Sequence, residues 1–383
     1  MPFEMADLDV AGGLLTLSKL IGYLLVASTA FQVSLCYKEK PMALWFFGAY
    51  LAISAVASVI VVNTHPEDPT LRSYLLSRII SRVQMVILFW ISYNLMRQEN
   101  VMKGTLFSLA GSTTLLVFLQ LAGLAGETTG DRVAAFDANP NTVATVLSIG
   151  LLALFGLAYG REKPDWKAQL LFWTSSLILA GSIVRTGSRG AALALIASFG
   201  FLIFKKGHVT TKFKMALFGL AGIICLAVIS YQIPAVRERW ELTLMEGKVA
   251  GRDVIYTEAV GMFIDKPVFG WGHGIQFYEL GSRLGIPSRD PHNVYLLILT
   301  EVGLIGFIPF IGGLWACWQA AWKSRFSIQG IAPLIMISFL LAINMKGSWY
   351  NKKLFWVVLA YELASGTYSA ISNRWRNRPS GAP

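Results

Sequence analysis

Two arginines and a histidine carry the clearest chemical potential in this sequence. Arg189 lies in Arg185-Thr186-Gly187-Ser188-Arg189-Gly190, Arg252 opens RDVIYTEAVGMFID, and His292 stands in DPHNVYLLILTEVGLIG. Guanidinium groups stay protonated and pair with phosphate oxygens through two parallel N–H bonds, so two of them suit a phosphate or diphosphate. A histidine beside them can take or hold a proton near neutral pH. The chain has four histidines. His208 falls in a run of lysines and His65 in a proline-rich turn, which leaves His273 and His292. His273 is flanked by glycines and reads as turn decoration, whereas His292 sits at the mouth of an apolar helix.

Around these three stand supporting candidates for substrate binding. Arg185 and Ser188 share the hairpin of Arg189, where the glycines on either side of Ser188-Arg189 would let backbone N–H groups approach an anion. Asn139 and Asn141 flank Pro140, and Asn141 alternatively only caps the following helix. Asn293 follows His292. Glu301 lies about two and a half turns deeper in the same helix, roughly within reach of neighbouring faces. Arg72 and Arg78, with Arg82 beyond them, approach or enter a span, where snorkelling to the interface is the equal alternative. Arg252 falls in the first turn of its helix, unfavourable for the dipole, so it is expected to face an anion or a carboxylate such as Asp253.

The elements that must position these residues are membrane spans. The 383 residues are 55% hydrophobic and 14% charged, against about a quarter charged in soluble domains, and the mean hydropathy is +0.55. Apolar runs long enough for a roughly 30 Å hydrocarbon core recur, at 14–35, 41–62, 75–96, 104–125, 141–160, 168–185, 190–205, 213–232, 292–321, 328–345 and 354–371. The expectation is an all-α polytopic membrane protein of about eleven transmembrane helices, forming one integral membrane domain over 1–383. One long outer loop, 233–291, is inserted between the eighth and ninth spans. Within it, residues 252–266 predict an amphipathic helix with Val254, Ile255, Ala259, Met262 and Phe263 on its apolar face. Gly270, Gly272 and Gly274 suit tight turns, and Gly303 and Gly306 are possible bends in the ninth span.

The net charge of +11 does not point to nucleic acid. Basic clusters at Lys38/Lys40, Arg97/Lys103, Arg161/Lys163/Lys167, Lys205–Lys214, Lys323/Arg325 and Arg374–Arg378 lie between or after apolar runs, the positive-inside pattern. With the N-terminus outside and the C-terminus cytoplasmic, every one of these clusters falls on the cytoplasmic side. Segments 63–74, 126–140, 186–189, 233–291 and 346–353 then share the outer face. The acidic start lacks the basic region of a signal peptide, so the first span is expected to be retained. Cys36, Cys225 and Cys317 fall in or beside apolar runs and indicate neither a disulfide framework nor a metal site. No phosphate-binding loop, dinucleotide fingerprint, HExxH or Gly-x-Ser-x-Gly elbow is present. An anion transporter or flippase is the competing class, but such proteins often repeat interrupted helices in two halves, and no such symmetry is visible.

Several motifs occur in a recognisable order: Asn139-Pro140-Asn141, Thr186-Gly187-Ser188-Arg189-Gly190-Ala191, Gly251-Arg252 with Asp265-Lys266-Pro267-Val268-Phe269-Gly270-Trp271-Gly272, and Pro291-His292-Asn293-Val294-Tyr295-Leu296 with Glu301-Val302-Gly303-Leu304-Ile305-Gly306. Together, over roughly residues 130–310, they resemble the O-antigen ligase family. The resemblance implies a GT-C type glycosyltransferase of the bacterial inner membrane, working on the periplasmic side without a cofactor or metal. Its donor would be a glycan on undecaprenyl diphosphate and its acceptor a hydroxyl on a lipid, glycan or protein. It also implies that Arg189 and Arg252 hold the donor diphosphate and that His292 activates or orients the acceptor hydroxyl. Members of the family either ligate a glycan to an acceptor or polymerise repeat units.

Overall fold

The computed structural model describes residues 17–64, 69–129, 132–136, 138–159, 165–204, 251–325 and 330–376, with isolated positions at 231, 232, 234, 237, 238 and 241. The apolar runs fold as helices because, in hydrocarbon, a helix alone satisfies its own backbone. In chain order these are α1 (Leu17–Thr29), α2 (Val33–Cys36), α3 (Met42–Thr64), α4 (Pro69–Met96) and α5 (Glu99–Leu121). After a β-hairpin come α6 (Pro140–Tyr159), α7 (Trp166–Arg185) and α8 (Arg189–Phe199), the last extended by a 3-10 segment, Gly200–Phe204. Beyond residue 250 follow α9 (Arg252–Asp265), α10 (Ile275–Arg283), α11 (Val294–Ser324), α12 (Ala332–Ile343), a 3-10 turn at Trp349–Asn351, and α13 (Lys353–Arg376).

Several expectations change. Among the described residues six helices, not eleven, are long and apolar enough to cross a membrane: α3 to α7 and α11. The expected spans at 190–205 and 328–345 become shorter apolar helices. The span at 14–35 breaks at a turn between α1 and α2, where Gln32 accepts backbone bonds from Leu35 and Cys36. The eighth expected span, 213–232, lies outside the described residues except for its last two positions. The fold is also not wholly α: β1 (Gly126–Thr129) and β2 (Arg132–Ala135) pair antiparallel, with Gly126 opposite Ala135 and Thr129 opposite Arg132. Of the loop expected at 233–291, the described part from 251 on is two short helices and a connecting strap, with a small buried cluster of Ile255, Ala259, Met262 and Leu280 between the helices.

Helix α11 is the centre of the bundle and packs against α3, α9, α12 and α13. Small residues let it come close: a Cβ on Gly313 would sit 2.4 Å from the Phe47 ring, and one on Gly366 of α13 2.7 Å from Ala320. The space between α3, α4, α11 and α13 is filled by the buried rings of Phe47, Phe89, Phe310 and Trp356. Phe47 meets Phe89 edge-on at 5.3 Å and Trp356 at 5.0 Å between ring centroids, geometries that aromatic quadrupoles favour. A second cluster, with Leu116, Val143, Leu147, Leu179 and Ile183, joins α5, α6 and α7 beneath the hairpin.

Helix α11 is broken at Gly303, whose φ of +60° and ψ of −163° are open to glycine and almost nothing else. The strap 267–272 repairs the backbone there. Trp271 N–H donates to Thr300 O at 2.8 Å and Gly272 N–H to Glu301 O at 2.9 Å, while Leu304 N–H donates to Pro267 O at 2.8 Å. A Cβ on Gly303 would lie 2.2 Å from Val268 O, so the strap can seat only on a glycine. This is the permitted form of irregular backbone at membrane depth, buried in protein with its polar groups matched.

Candidate functional site

One cavity of 470 Å³ gathers residues from five separate parts of the chain. Arg132, Asn139, Asn141, Thr142 and Thr145 come from the hairpin and the start of α6; Gly187, Ser188, Arg189 and Gly190 from the α7–α8 turn; Arg252 from the head of α9; His292 from the approach to α11; and Lys346, Ser348 and Lys352 from the turn after α12. Five fixed cations therefore face one space, and none of the described residues lining it is acidic. Helices α6, α8 and α9 also begin at this cavity, so the positive ends of three helix dipoles add to the field. The arrangement is built for an anion of more than one charge.

Local chemistry explains how each group is held. Ser188 caps α8, its hydroxyl accepting from Ala191 N. Arg132 Nε donates to Thr186 O at 2.7 Å and Nη2 to Asn141 Oδ1 at 3.2 Å, which binds the hairpin to the α7–α8 turn and to α6. Asn139, not Asn141, caps α6: Asn139 Oδ1 accepts from Asn141 N at 2.9 Å. The Asn141 side chain is thereby free to receive Arg132. Lys346 runs over the first turn of α8, where Gly190 makes room; a Cβ there would lie 2.8 Å from Lys346 Cδ. Burial, together with the neighbouring charges of Arg252 and Arg189, pushes the Lys346 amine below its usual pKa.

His292 has the left-handed φ of +51°, uncommon for a residue with a side chain. Its N–H donates to Asp290 Oδ1 at 2.5 Å. The same oxygen accepts from Ser348 Oγ at 2.9 Å and lies 3.7 Å from His292 Nδ1. Burial holds the imidazole below its ordinary pKa; Asp290 pulls it up, while Arg289 and Arg252 push it further down. Asn293, rather than His292, opens α11, accepting from Tyr295 N at 3.0 Å and Leu296 N at 3.2 Å.

Not every expected residue meets at the cavity. Arg189, Arg252, His292, Ser188, Asn139 and Asn141 do. Arg185 and Arg72 are exposed outside it, and Arg78 lies over the Tyr74 ring at 5.0 Å. Asn293 serves as a helix cap. Arg252 forms no ion pair with Asp253 among the described residues, so the expectation of that carboxylate partner gives way to the cavity. In α9, Ile255, Ala259 and Met262 are buried as predicted but Val254 is exposed, because the helix packs on α11 along a narrower stripe.

Glu301 belongs elsewhere. It is fully buried and forks onto Arg82, with Nη2 to Oε2 at 2.9 Å and Nη1 to Oε1 closing the pair. His273 Nδ1 lies 2.8 Å from Glu301 Oε1 and 2.9 Å from Arg82 Nη2. Ser54 and Tyr350 complete the guanidinium's partners, Tyr350 OH at 2.7 Å. Arg82 therefore does not snorkel, and His273 does not decorate a turn. Both are buried in an ion cluster that sequence spacing could not assemble, since its members come from α3, α4, the residue that follows the strap, α11 and the turn before α13.

Sequence reasoning passed over the cavity-lining cations Arg132, Lys346 and Lys352, and also Asp290, which holds His292 without lining the cavity itself. A signal existed for the lysines: Lys346 and Lys352 lie in a segment expected on the outer face, against the positive-inside trend. Asp290 is two positions from His292, the shortest spacing at which a carboxylate can accept that residue's own N–H.

The fold and cavity define a multi-pass helical membrane protein with a cation-lined cavity. The sequence model of the O-antigen ligase family matches one stretch of the chain, residues 174–311. It contains Arg189, Arg252 and His292, while Arg132, Asn139, Asn141 and Lys346 reach the cavity from outside it. A protein described as O-antigen ligase from Pseudomonas aeruginosa (strain PAO1) is 23% identical over 214 residues, 56% of this chain and 50% of that protein. The alignment thus spans half the length of that curated relative. A chain from a solved structure described as "Structural coordination of polymerization and crosslinking by a peptidoglycan synthase complex" aligns over 88% of this chain and 98% of its own, at 16% identity and a TM-score of 0.46.

Proposed function

We propose that the cavity holds the diphosphate of an undecaprenyl-linked glycan and that the protein transfers the glycan to a hydroxyl acceptor in cell-surface polysaccharide or lipopolysaccharide synthesis. The observation that carries this reading is the convergence of Arg189, Arg252 and His292, from three distant segments, on one cation-lined space. In the transfer, the acceptor oxygen forms a bond to the anomeric carbon as the bond from that carbon to the phosphate oxygen breaks. The bonding pair leaves with the diphosphate, where Arg189 and Arg252 meet the developing charge. A preorganised donor at such a position is worth roughly 2.7–4 kcal/mol in characterised oxyanion sites. The acceptor's proton passes to His292, whose depressed pKa keeps the imidazole neutral and ready to accept it.

The cavity-lining segments coincide with those opposite the basic clusters, which supports a site on the periplasmic face of the inner membrane, with the N-terminus outside and the C-terminus cytoplasmic. Membrane lipids would surround the bundle, and the acceptor would be a lipid, a glycan or a protein. The test is incubation of the purified protein with a lipid-linked oligosaccharide, with and without a lipid acceptor. A single glycan–acceptor adduct identifies a ligase and a ladder of growing lipid-linked chains a polymerase. Movement of the lipid or solute across the bilayer with no new glycosidic bond would replace this reading with a transporter.

A further inference from the structure

We infer that Asp290, anchored by Ser348, is a positioning residue that sets the orientation and tautomer of His292. The inference rests on His292 acting as the base proposed above, and it starts from strain. A non-glycine residue at φ +51° is held there by its surroundings, and such positions gather where function needs a fixed geometry. Two contacts hold it, and they share one oxygen. Asp290 Oδ1 takes the His292 N–H at 2.5 Å and the Ser348 hydroxyl at 2.9 Å. Ser348 comes from the turn after α12, so the bond also ties the approach to α11 to the turn that carries Lys346 and Lys352.

The third contact of that oxygen is electrostatic. His292 Nδ1 lies 3.7 Å away, looser than a hydrogen bond but close enough to favour a proton on Nδ1. That leaves Nε2 as the acceptor. The other charged groups facing His292 are Arg289 and Arg252, with Arg189, Lys346 and Lys352 lining the same cavity, and all are cationic. Asp290 is the one carboxylate among these groups. It therefore counters the local repulsion that an imidazolium would meet as it takes the acceptor's proton.

Asp290→Asn separates this role from mere turn formation, because an amide oxygen still accepts from His292 N–H and from Ser348. The expected result is a folded protein with unchanged donor KM and a kcat lower by about tenfold, a fraction of the ~10²–10⁴-fold expected from losing the base outright. The acid limb of kcat/KM should move down by about half a pH unit, since removing a partly exposed anion lowers the pKa of the base. The His292 titration, followed by NMR on histidine-labelled protein in nanodiscs, should move the same way. Ser348→Ala keeps the carboxylate but frees it, and should give a smaller loss in kcat; it decides the matter if the asparagine variant does not fold. An unmoved pH profile and unmoved titration would overturn the proposal, as would a moved titration with unchanged kcat. Full transfer by His292→Ala would instead overturn the base itself, and the positioning role with it.

Discussion

The cavity and the Arg82–Glu301–His273 cluster are both assemblies of charged groups drawn from distant parts of the chain, yet their chemistry is opposite. In the cavity five cations of one sign line an open space without a carboxylate among its described residues. In the cluster a fully buried carboxylate and guanidinium close on each other with imidazole and hydroxyl partners around them. An unbalanced, accessible set of charges has work left to do on something that binds. A balanced, desolvated one has already spent its interactions on holding the protein together. Charge in a membrane helix is thus a functional signal only after its partners have been counted.

The largest effects should follow from breaking the cavity's function without its fold. Arg189→Ala, Arg252→Ala and His292→Ala should each leave expression and thermal unfolding near wild type while abolishing glycan transfer. Retained transfer in the histidine variant would remove it from proton transfer. Next, Glu301→Ala should leave Arg82 buried and unpaired and cost about 3–5 kcal/mol of stability, read by thermal unfolding in detergent. Replacing the pair together, Arg82→Met with Glu301→Leu, should recover much of that loss, because well-packed apolar substitutes for a buried pair are often neutral or better. If the double variant instead proves as unstable as the single one, the cluster does more than pair charges.

Gly303→Ala should cost about 1–3 kcal/mol in strain alone and more if the strap is expelled, because its Cβ would occupy the place of Val268 O. The smallest effect concerns pH. With its pKa lowered by burial and by Arg252 and Arg189, Lys346 should react with an amine-acylating reagent at a lower pH than exposed lysines do, and a bound diphosphate should slow that reaction. Equal reactivity with the surface lysines would mean that the three cations do not feel one another.

The sequence carried the cavity further than it carried the cluster, and the reason is physical. Arg189, Arg252 and His292 stand in polar breaks between apolar runs, where composition alone sets them apart. Arg82 and Glu301 stand inside helices, and nothing in their spacing says that residues 219 positions apart share a bond. Helix identity was legible where apolar runs reached spanning length, as in α3 and α11. Count and boundaries were not, since short helices such as α8 and α12 are apolar without being long. The β-hairpin at 126–135 escaped notice because eight strand residues rich in Thr and Ala carry no alternating pattern strong enough to read. The break at Gly303 is legible as a bend, but the strap that makes it tolerable depends on contacts 29 to 37 residues apart.

The most direct test sets one folded variant from each region side by side in the same transfer assay. Purified wild type, Arg252→Ala and the Arg82→Met/Glu301→Leu protein would be given a lipid-linked oligosaccharide and a lipid acceptor, and new glycosidic bonds counted. Transfer by wild type and by the double variant, with none by Arg252→Ala, is the expected result. A folded Arg252→Ala protein that forms product at the wild-type rate would contradict the assignment of the cavity as the site of transfer.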